Sequence, residues 1–476
     1  MFSRVLIANR GEIACRIIAT CRRLGIRSIA VFSDADVAAP HVQAADESIH
    51  LGPAPAAESY LSPSALLRAL NESQADAVHP GYGFLSESAA FAEAVEQSGR
   101  VFVGPSARAL EFLSDKIRAR ERAAQLGLPP VPGVSRAVGD ASPEGWIEFA
   151  ERLGWPLLVK AACGGGGIGM QRVANAEELI SAVQSAARAA ERSFGNGRVY
   201  LERYLEHPRH VEMQLLRSAN GTLATLGTRE CSVQRRFQKI IEECPSPTFT
   251  ALPLARQAHI EAFARSLLAS VDYVGVATLE LLVDRDGTVY FLEVNARLQV
   301  EHTTTEQVYG VDLVEEQLRI AACDDVTPAL KHAVARGHAI EARIYAESPA
   351  RGFIPQPGTV EALRFPQSES VRVDQGIEVG SRISPYYDPL LAKVIAWAPH
   401  RSSATRTLIQ ALSETQIVVM GKQGRRDNNI QLLRQALESP DWSSASYDTR
   451  LVERLVAPSH APSVHEQGVA PAQMAG

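Results

Sequence analysis

The sequence has few cysteines, few aromatic residues and no long apolar run. Its six cysteines form no CxxC pair and have no histidine at zinc-finger spacing, so a zinc finger is excluded and buried free thiols are expected. No stretch of about 18 apolar residues occurs, and charge interrupts the start MFSRVLIANRG too early for a signal peptide. We therefore expect a cytoplasmic protein that neither spans nor binds a membrane.

The sequence also lacks an excess of positive charge. Basic residues number 48 against 54 acidic ones, which gives a formal net charge of −6. A general electrostatic footprint for nucleic acid is absent, so no nucleic-acid partner is expected and any phosphate site must be local.

What is present is enough apolar material for several packed cores. The chain has 476 residues, 46% of them hydrophobic, which predicts two to four domains at roughly 100 to 200 residues each. In the first 110 residues, strand-like runs such as RVLIA and RSIAVFS alternate with helical patterns. That alternation predicts a parallel sheet flanked by helices, with ligand loops such as PGYGFLSE (residues 80–87) at the carboxyl ends of strands.

The later regions read differently. A turn-rich boundary near residues 132–145 precedes a small α+β unit, a larger mixed region follows from about 210 to 330, and a β-rich region runs from GHAIEARIY to about residue 420. The tail from Ala457 is rich in Ala, Pro and Ser and is expected to be disordered. The predicted fold class is therefore a multidomain α/β and α+β protein.

A glycine-rich loop lies within LLVKAACGGGGIGMQRV, residues 157–173. Its glycines satisfy GxGxxG, but a strand pattern rather than a helix follows, and no Gly-Lys-Ser/Thr occurs, so neither a dinucleotide fingerprint nor a Walker A loop fits. We expect a flexible hairpin lid whose N–H groups wrap phosphate oxygens, with Lys160 as a point charge. A purely structural hairpin is the alternative, although five glycines would each cost it roughly 0.5 to 1 kcal/mol.

Two glutamates and an asparagine mark a possible metal site in ATLELLVDRDGTVYFLEVN. Two alternating runs flank an Asp-Gly hairpin signal at Asp286 and Gly287. Glu280 lies in one predicted strand, and Glu293 and Asn295 share a face of its partner. Their oxygens suit Mg²⁺ that also holds phosphate. The alternative is a solvated face.

The chain continues NARLQVEH. If it is extended, Asn295, Arg297, Gln299 and Glu301 point the same way. A cation, an amide and a carboxylate in a row can hold a small planar anion and supply a base beside it. An exposed edge strand would show the same alternation.

Together these stretches resemble one known family. IANRGEIACRI, HPGYGFLSE, the Asp115-Lys116 pair, KAACGGGGIGM, RECSVQRRFQK, LEVNARLQVEH, GHAIEARIYAE and PYYDPLLAK are similar to motifs of the biotin carboxylase family, a branch of the ATP-grasp enzymes, in the same order over about residues 2–400. The resemblance implies an N-terminal α/β domain (1–114), an ATP-grasp domain (115–330) with a mobile lid (about 133–205), and a C-terminal β-rich domain (336–445), followed by the 457–476 tail.

The resemblance also implies an activity. ATP phosphorylates bicarbonate to carboxyphosphate, whose CO₂ is transferred to N1 of biotin. The cofactors would be ATP and Mg²⁺ or Mn²⁺, with biotin as a substrate. Because the sequence contains no Met-Lys-Met attachment site, we expect biotin on a separate carrier protein, with carboxyltransferase subunits in trans and a homodimer of this chain.

Carried over position by position, the resemblance assigns roles to individual residues. The ATP-binding residues would be Lys116, Lys160, Gly164, Gly165, Gly166, Gly167, Gly169, Glu202, Leu205, His210 and Gln234. Mg²⁺ would be held by Glu280, Glu293 and Asn295, and bicarbonate by Lys239, Arg297, Gln299, the backbone of Val300, and Glu301 as general base. Arg343 would face the ureido oxygen of biotin, and Tyr82 would lie near the biotin pocket; a loop aromatic that packs on the core is the alternative for Tyr82.

Three departures from the family pattern stand out. Ile168 replaces a basic or small residue of the lid, and Phe237 replaces the histidine of Gln-Arg-Arg-His-Gln-Lys. MGKQGRRDNN replaces a shorter Gly-x-x-Thr-Asn turn. These changes keep two other hypotheses open beside the carboxylase: an ATP-grasp ligase with a different small acceptor, and an inactive ATP-binding scaffold. Retention of the base, metal ligands and anion clamp argues against the scaffold.

Overall fold

The computed structural model describes residues 1–134, 143–164 and 170–457. The helices are α1 (Gly11–Arg23), α2 (Pro40–Ala44), α3 (Pro63–Ser73), α4 (Ala89–Gln97), α5 (Ala107–Ser114), α6 (Lys116–Gln125), α7 (Pro143–Leu153), α8 (Ala176–Phe194), α9 (Pro247–Thr250), α10 (Leu254–Ser270), α11 (His302–Tyr309), α12 (Leu313–Ala321), α13 (Arg401–Glu414), α14 (Ile430–Glu438), α15 (Pro440–Ser443) and α16 (Leu451–Val456).

The strands are β1 (Arg4–Ile7), β2 (Arg27–Ser33), β3 (Glu47–Gly52), β4 (Ala77–His79), β5 (Val101–Phe102), β6 (Leu157–Ala161), β7 (Gln171–Val173), β8 (Val199–Arg203), β9 (Arg209–Arg217), β10 (Leu223–Arg235), β11 (Gln238–Cys244), β12 (Gly275–Val283), β13 (Val289–Asn295), β14 (His338–Tyr345), β15 (Glu347–Ser348), β16 (Ile354–Pro355), β17 (Gly358–Arg364), β18 (Val371–Gln375), β19 (Arg382–Ile383), β20 (Leu390–Ala398), β21 (Gln416–Gly421) and β22 (Gly424–Arg425).

The N-terminal region forms a five-stranded parallel sheet in the order β3-β2-β1-β4-β5. The apolar run Val5–Ile7 is fully buried, as expected of a strand covered on both faces. Helix α1 packs Ile13, Ile17 and Cys21 into the core beside this sheet. The predicted parallel α/β arrangement is confirmed.

A small antiparallel sheet, in the order β7-β6-β8, packs against α7 and α8 through apolar residues such as Leu157, Leu179 and Val183. Strand β7 follows the glycine loop, as the sequence predicts, so a helix does not begin there. Of the loop glycines only Gly164 is described; Gly165, Gly166, Gly167, Gly169 and Ile168 lie outside the described residues.

The centre of the structure is one eight-stranded antiparallel sheet in the order β13-β12-β9-β10-β11-β14-β20-β18. Strands β14, β18 and β20 belong to the β-rich C-terminal region, so hydrogen bonds continue from the middle of the chain into that region through β11 and β14. Strand β12 lies between β9 and β13 and is buried along nearly its whole length. Glu280 is therefore a buried carboxylate.

The segment MGKQGRRDNN leads from β21 through the hairpin to β22 and ends at Asn429, next to α14. Asn429 is fully buried. Its Oδ1 accepts from the backbone N–H of Tyr345 (2.8 Å), and its Nδ2 donates to the carbonyl of Arg343 (3.0 Å). The divergent segment therefore ends on the backbone that carries Arg343. The predicted disordered tail lies, apart from Ala457, outside the described residues.

The cysteine prediction is confirmed only in part. All six thiols are free, and Cys21, Cys231 and Cys244 are buried, but Cys323 is exposed and Cys15 and Cys163 are half-buried. Cys323 follows the end of α12 with a positive φ of 67°, which places it in a surface turn rather than on the helix's apolar face. Among the described residues, the helices are all too short or too polar to cross a bilayer.

Candidate active site

A cleft of about 560 Å³ lies between the small α+β unit, the central sheet and the N-terminal sheet. Every predicted site residue that the structure describes lines it: Tyr82, Lys116, Lys160, Gly164, Glu202, Leu205, His210, Gln234, Lys239, Glu280, Glu293, Asn295, Arg297, Gln299, Val300, Glu301 and Arg343. The cleft thus brings together residues from almost the whole length of the chain. Their individual roles remain predictions.

Two lysines, one half-buried and one buried, line the cleft on the side of the glycine loop. Asp115 caps α6 by accepting from the backbone N–H groups of Ile117 and Arg118, which fixes Lys116 in the first turn, where it contacts Glu293. Lys160 lies on β6. Burial and the neighbouring Lys160 lower the pKa of Lys116 to about 8.

Glu202 has a more specific place than the sequence suggests. The residue is 2% exposed, and its carboxylate accepts from Lys160 Nζ (2.9 Å) and Arg120 Nη1 (3.0 Å). Burial lowers the pKa of Lys160, but Glu202 outweighs that effect and raises it. The Glu202 side chain therefore holds a cation for the cleft, and the residues after it, through Leu205, line the wall.

Acidic side chains form a row across the central sheet. Glu280 on β12 lies directly opposite Glu212 on β9 and Glu293 on β13, so the three share one face. Glu280 accepts from His210 Nε2 (2.9 Å) and from Gln299 Nε2 (3.0 Å). Burial alone would raise the pKa of Glu280, but Lys239 and His210 hold it well below its usual value.

This row has the chemistry of a magnesium site. Glu280, Glu293 and Asn295 present carboxylate and amide oxygens, the ligands that Mg²⁺ prefers. Both glutamates already contact cationic side chains, Lys239 and Lys116, so this face attracts positive charge. The three residues present therefore fit the metal that the sequence predicts.

Lys239 contacts three carboxylates of the site. Its Nζ donates to Glu212 (2.6 Å), Glu301 (2.7 Å) and Glu280 (2.8 Å). Burial lowers the pKa of Lys239, but these carboxylates more than compensate and raise it well above its usual value. Lys239 is therefore charged at any working pH.

The polar side chains of NARLQVEH lie on the cleft side, as predicted, but the backbone there is not the extended strand that the prediction assumed. Strand β13 ends at Asn295, and the chain then bends, while Ala296 and Leu298 stay buried beneath it. Arg297 Nη1 donates to Gln299 Oε1 (2.8 Å), and its Nη2 donates to Asn295 Oδ1 (2.9 Å). Burial of the alternate residues, rather than continued strand pairing, keeps these polar groups on the cleft side.

Glu301 joins the two ends of the cleft. Its Oε1 accepts from Lys239, and its Oε2 accepts from Arg343 Nη2 (2.9 Å). Burial raises the pKa of Glu301, but Lys239 and Arg343 outweigh burial and hold it well below its usual value. Glu301 is thus an ionised carboxylate between two fixed cations.

Beyond Arg343 lies a wall of aromatic residues. Tyr82 donates its hydroxyl hydrogen bond to Glu12, packs partly on the core and also lines the cleft. Its place beside biotin stays a prediction. Tyr345 and Tyr387 also line the cleft. Phe237 is at the tip of the β10–β11 hairpin, where it and Arg236 have positive φ angles of 66° and 49°, and it is 47% exposed. An apolar ring therefore stands at the mouth of the cleft.

Sequence reasoning missed two carboxylates, Glu212 and Glu87, that accept from the cleft residues Lys239 and Arg297. Glu212 is paired with the fully buried Arg229 (2.5 Å), and Glu87 accepts from Arg297 Nε (3.0 Å). The polar alternation of Glu212 and Gln214 within HVEMQLL was the available signal for the first pair. Glu87 lies in the PGYGFLSE loop that was already expected to bind a ligand.

The fold and cleft define a class. Lys160 on the small α+β unit and Lys116 on α6 face an antiparallel sheet that carries paired carboxylates, which is the arrangement of an ATP-grasp nucleotide site. Three family profiles match the chain: biotin carboxylase N-terminal domain over residues 1–110, carbamoyl-phosphate synthase L chain ATP binding domain over 115–328, and biotin carboxylase C-terminal domain over 341–454.

Individual relatives agree with these profiles. Biotin carboxylase 2 of Bacillus subtilis is 45% identical over 417 residues, which is 88% of this chain and 93% of the relative. The propionyl-CoA carboxylase alpha chain of Ruegeria pomeroyi is 40% identical over 95% of this chain and 68% of its own length. The crystal structure of the biotin carboxylase domain dimer of Hydrogenobacter thermophilus 2-oxoglutarate carboxylase, with MgADP, ADP and bicarbonate, matches with a TM-score of 0.89 and 37% identity, covering 95% of this chain and 98% of that one. The chain belongs to the biotin carboxylase family.

Proposed function

We propose that the protein is the biotin carboxylase subunit of an acyl-CoA carboxylase-type complex and carboxylates biotin on a separate carrier protein, using ATP and bicarbonate. The observation that carries this proposal is the placement of Glu301 between Lys239 and Arg343. The Glu301 carboxylate thus contacts both Lys239, which is expected to bind bicarbonate, and Arg343, which is expected to face the acceptor.

In the first step, Lys239, Arg297, Gln299 and the backbone of Val300 hold bicarbonate. Glu301 is ionised and can accept the bicarbonate proton. The freed oxygen attacks the γ-phosphorus of ATP, which gives carboxyphosphate and ADP. Lys116 and Lys160 offset the charge that develops on the phosphates.

Mg²⁺ or Mn²⁺ held by Glu280, Glu293 and Asn295 would offset phosphate charge as a Lewis acid. The protein itself supplies the rest of the binding site. His210 and Gln234 are linked by a hydrogen bond of 2.7 Å and border the expected nucleotide site beside Glu280. Glu202, with the segment through Leu205, borders the place expected for adenine.

In the second step, carboxyphosphate breaks down to CO₂ and phosphate. The released phosphate takes the proton from N1 of biotin, and this nitrogen then forms a bond to CO₂. Arg343 stabilises the negative charge on the ureido oxygen, a role that suits a planar cation that stays charged. Tyr82 borders the same pocket. We further propose that the acceptor arrives on a carrier protein, that carboxyltransferase subunits act in trans, that this chain forms a homodimer, and that it works in the cytoplasm.

The test is ADP release from Mg²⁺-ATP with and without bicarbonate, free biotin and a biotinylated carrier protein. Stimulation by biotin that disappears when bicarbonate is removed would support the proposal. Failure of every combination, with ATP binding intact, would contradict it and favour a scaffold.

Phe237 supports one alternative, an ATP-grasp ligase with a different small acceptor. This exposed ring replaces a hydrogen-bonding histidine at the mouth of the cleft. In that case, ATP turnover would need bicarbonate but would respond neither to free biotin nor to the biotinylated carrier.

A further inference from the structure

Two glutamates that the reaction does not use lie behind Arg343. Glu242 on β11 and Glu341 on β14 are direct neighbours across the antiparallel pair, so their side chains share one face. Both are fully buried. Like charges placed directly opposite each other are normally destabilising in a sheet, and a buried site magnifies the effect.

Arg343 is the cation closest to this pair, and it is shared. Its Nη2 lies 2.5 Å from Glu242 Oε1 and 2.9 Å from Glu301 Oε2, and its Nε lies 3.9 Å from Glu341 Oε1. One guanidinium therefore faces three carboxylates. Among the described residues, Glu341 Oε1 is buried without a hydrogen-bond donor, whereas Oε2 accepts from the Thr303 hydroxyl.

The two nearest lysines are engaged elsewhere. Lys239 serves Glu212, Glu280 and Glu301. Lys393 Nζ lies 2.9 Å from Glu12 Oε1 and donates to the carbonyl of Val300 at 2.9 Å. The carboxylates of Glu242 and Glu341 thus outnumber the positive charge that reaches them.

We propose that Glu242 and Glu341 share one proton in the resting protein and act as positioning residues for Arg343. With that proton in place, the guanidinium pairs mainly with Glu301 and keeps its charge available for the acceptor. If both glutamates were ionised, Arg343 would face three anions and would be drawn away from the acceptor. The consequence for the acceptor rests on the proposed function; the shared proton does not.

The groups around the pair support a bound proton. Facing it are Arg343, Tyr345 and Lys239 from the same two strands, Cys231 from β10, Lys393 from β20, and Glu301 and Thr303 at the start of α11. Burial raises the pKa of Glu242 well above its usual value despite Arg343, and it raises the pKa of Glu341 to about 7 despite Lys393 and Arg343. Two adjacent buried carboxylates commonly bind one proton between them.

Infrared spectroscopy of the full chain tests the proton directly. Wild-type protein at neutral pH should show the carbonyl stretch of a protonated carboxylic acid. Glu341→Gln and Glu242→Gln should each abolish that band, because the single carboxylate left beside Arg343 no longer needs the proton. Glu243→Gln is the matched control. Burial raises the pKa of Glu243, but His338 and Arg401 outweigh burial and lower it to about 2. This neighbour on β11 is therefore ionised and contributes no such band.

The proposal would be overturned if this band were the same in the wild type and in both variants of the pair. A band lost in only one of the two variants would also overturn it, because that pattern means one independently protonated glutamate. Circular dichroism confirms folding of each variant, and each glutamine substitution provides a reading of its own if the other fails to fold.

Kinetics test the effect on Arg343. In the wild type, kcat/KM for biotin should fall as pH rises past the pKa of the pair, by about tenfold per pH unit. Glu341→Gln should remove this fall while the KM for ATP stays unchanged. An unaltered pH profile would overturn the positioning role, and absence of any biotin-stimulated turnover would count against the proposed function while leaving the infrared result intact.

Discussion

Lys239 Nζ lies 2.7 Å from Glu301 Oε1, and the same ammonium group donates to Glu280 Oε1 at 2.8 Å. The expected base and an expected metal ligand are therefore coupled through one cation. When a proton or a metal ion binds to either carboxylate, the hydrogen bond and the attraction between Lys239 and the other carboxylate change.

Glu301→Gln should abolish bicarbonate-dependent ADP release and leave ATP binding intact. The amide keeps an oxygen to accept from Lys239 but cannot take a proton, and loss of a general base typically costs 10²- to 10⁴-fold in rate. Initial rates with bicarbonate and an equilibrium measurement of ATP binding check this. Glu316→Gln, on α12 and away from the cleft, is the control. Wild-type turnover in the Glu301 variant would remove this residue from the base role.

Glu202→Ala should destabilise the protein by about 3 to 5 kcal/mol, because it leaves two buried cations, Lys160 and Arg120, without their shared carboxylate. Glu148→Ala is the matched comparison. Glu148 lies on α7 of the same unit in an exposed pair with Arg152 at 3.9 Å, and exposed pairs of this kind contribute about 0 to 1 kcal/mol. Urea unfolding of the two variants measures the difference, and equal losses would contradict the structural role of Glu202.

The part of the site that rests on strand periodicity could be predicted from sequence. Glu293 and Asn295 share a face because residues two apart along a strand point the same way. The opposition of Glu280 and Glu293 needs more than the hairpin signal: Leu281 pairs with Phe291, and a register shift between Glu280 and Leu281 then brings Glu293 opposite Glu280. The N-terminal alternation of strands and helices likewise predicts its parallel sheet.

The part of the site that depends on pairing between distant segments could not be predicted from the sequence. Glu242 and Glu341 become neighbours only because β11 pairs with β14, nearly a hundred residues later, and no local pattern fixes that register. For NARLQVEH, the alternation survives although the strand ends, because Ala296 and Leu298 remain buried.

Phe237→His should raise kcat/KM for biotin about 2- to 10-fold, the range expected for one added hydrogen bond, and should leave the KM for ATP unchanged. The ring stands at the mouth of the cleft, on the hairpin that carries Lys239, and is 47% exposed. Stability should change by no more than about 0.5 kcal/mol. Phe237→Leu, which offers no donor, should show no gain, and an equal gain in both variants would contradict a hydrogen-bonding cause.

The stability of the protein should fall as pH decreases below about 6.5, the ordinary pKa of histidine, because His41 is buried uncharged. His41 is fully buried between α1 and β2, near the backbone N–H of Gly11 and the carbonyl of Val31. Burial lowers its pKa to about 4. Between pH 6.5 and pH 4 the unfolded chain therefore binds a proton at His41 that the folded chain does not bind. The stability that is present above pH 6.5 is lost as pH falls towards 4.

The magnitude follows from the pKa difference. A lowering from the ordinary value to about 4 corresponds to about 3 kcal/mol at the acid end, of which about 2 kcal/mol is lost by pH 5. Urea unfolding at pH 7 and pH 5 measures the loss. His41→Gln should reduce the difference between the two pH values by about 2 kcal/mol, even if it lowers stability at both. His50→Gln, which alters a histidine whose side chain is 49% exposed on β3, should not reduce it, and an unchanged pH dependence in the His41 variant would show that other groups cause the acid sensitivity.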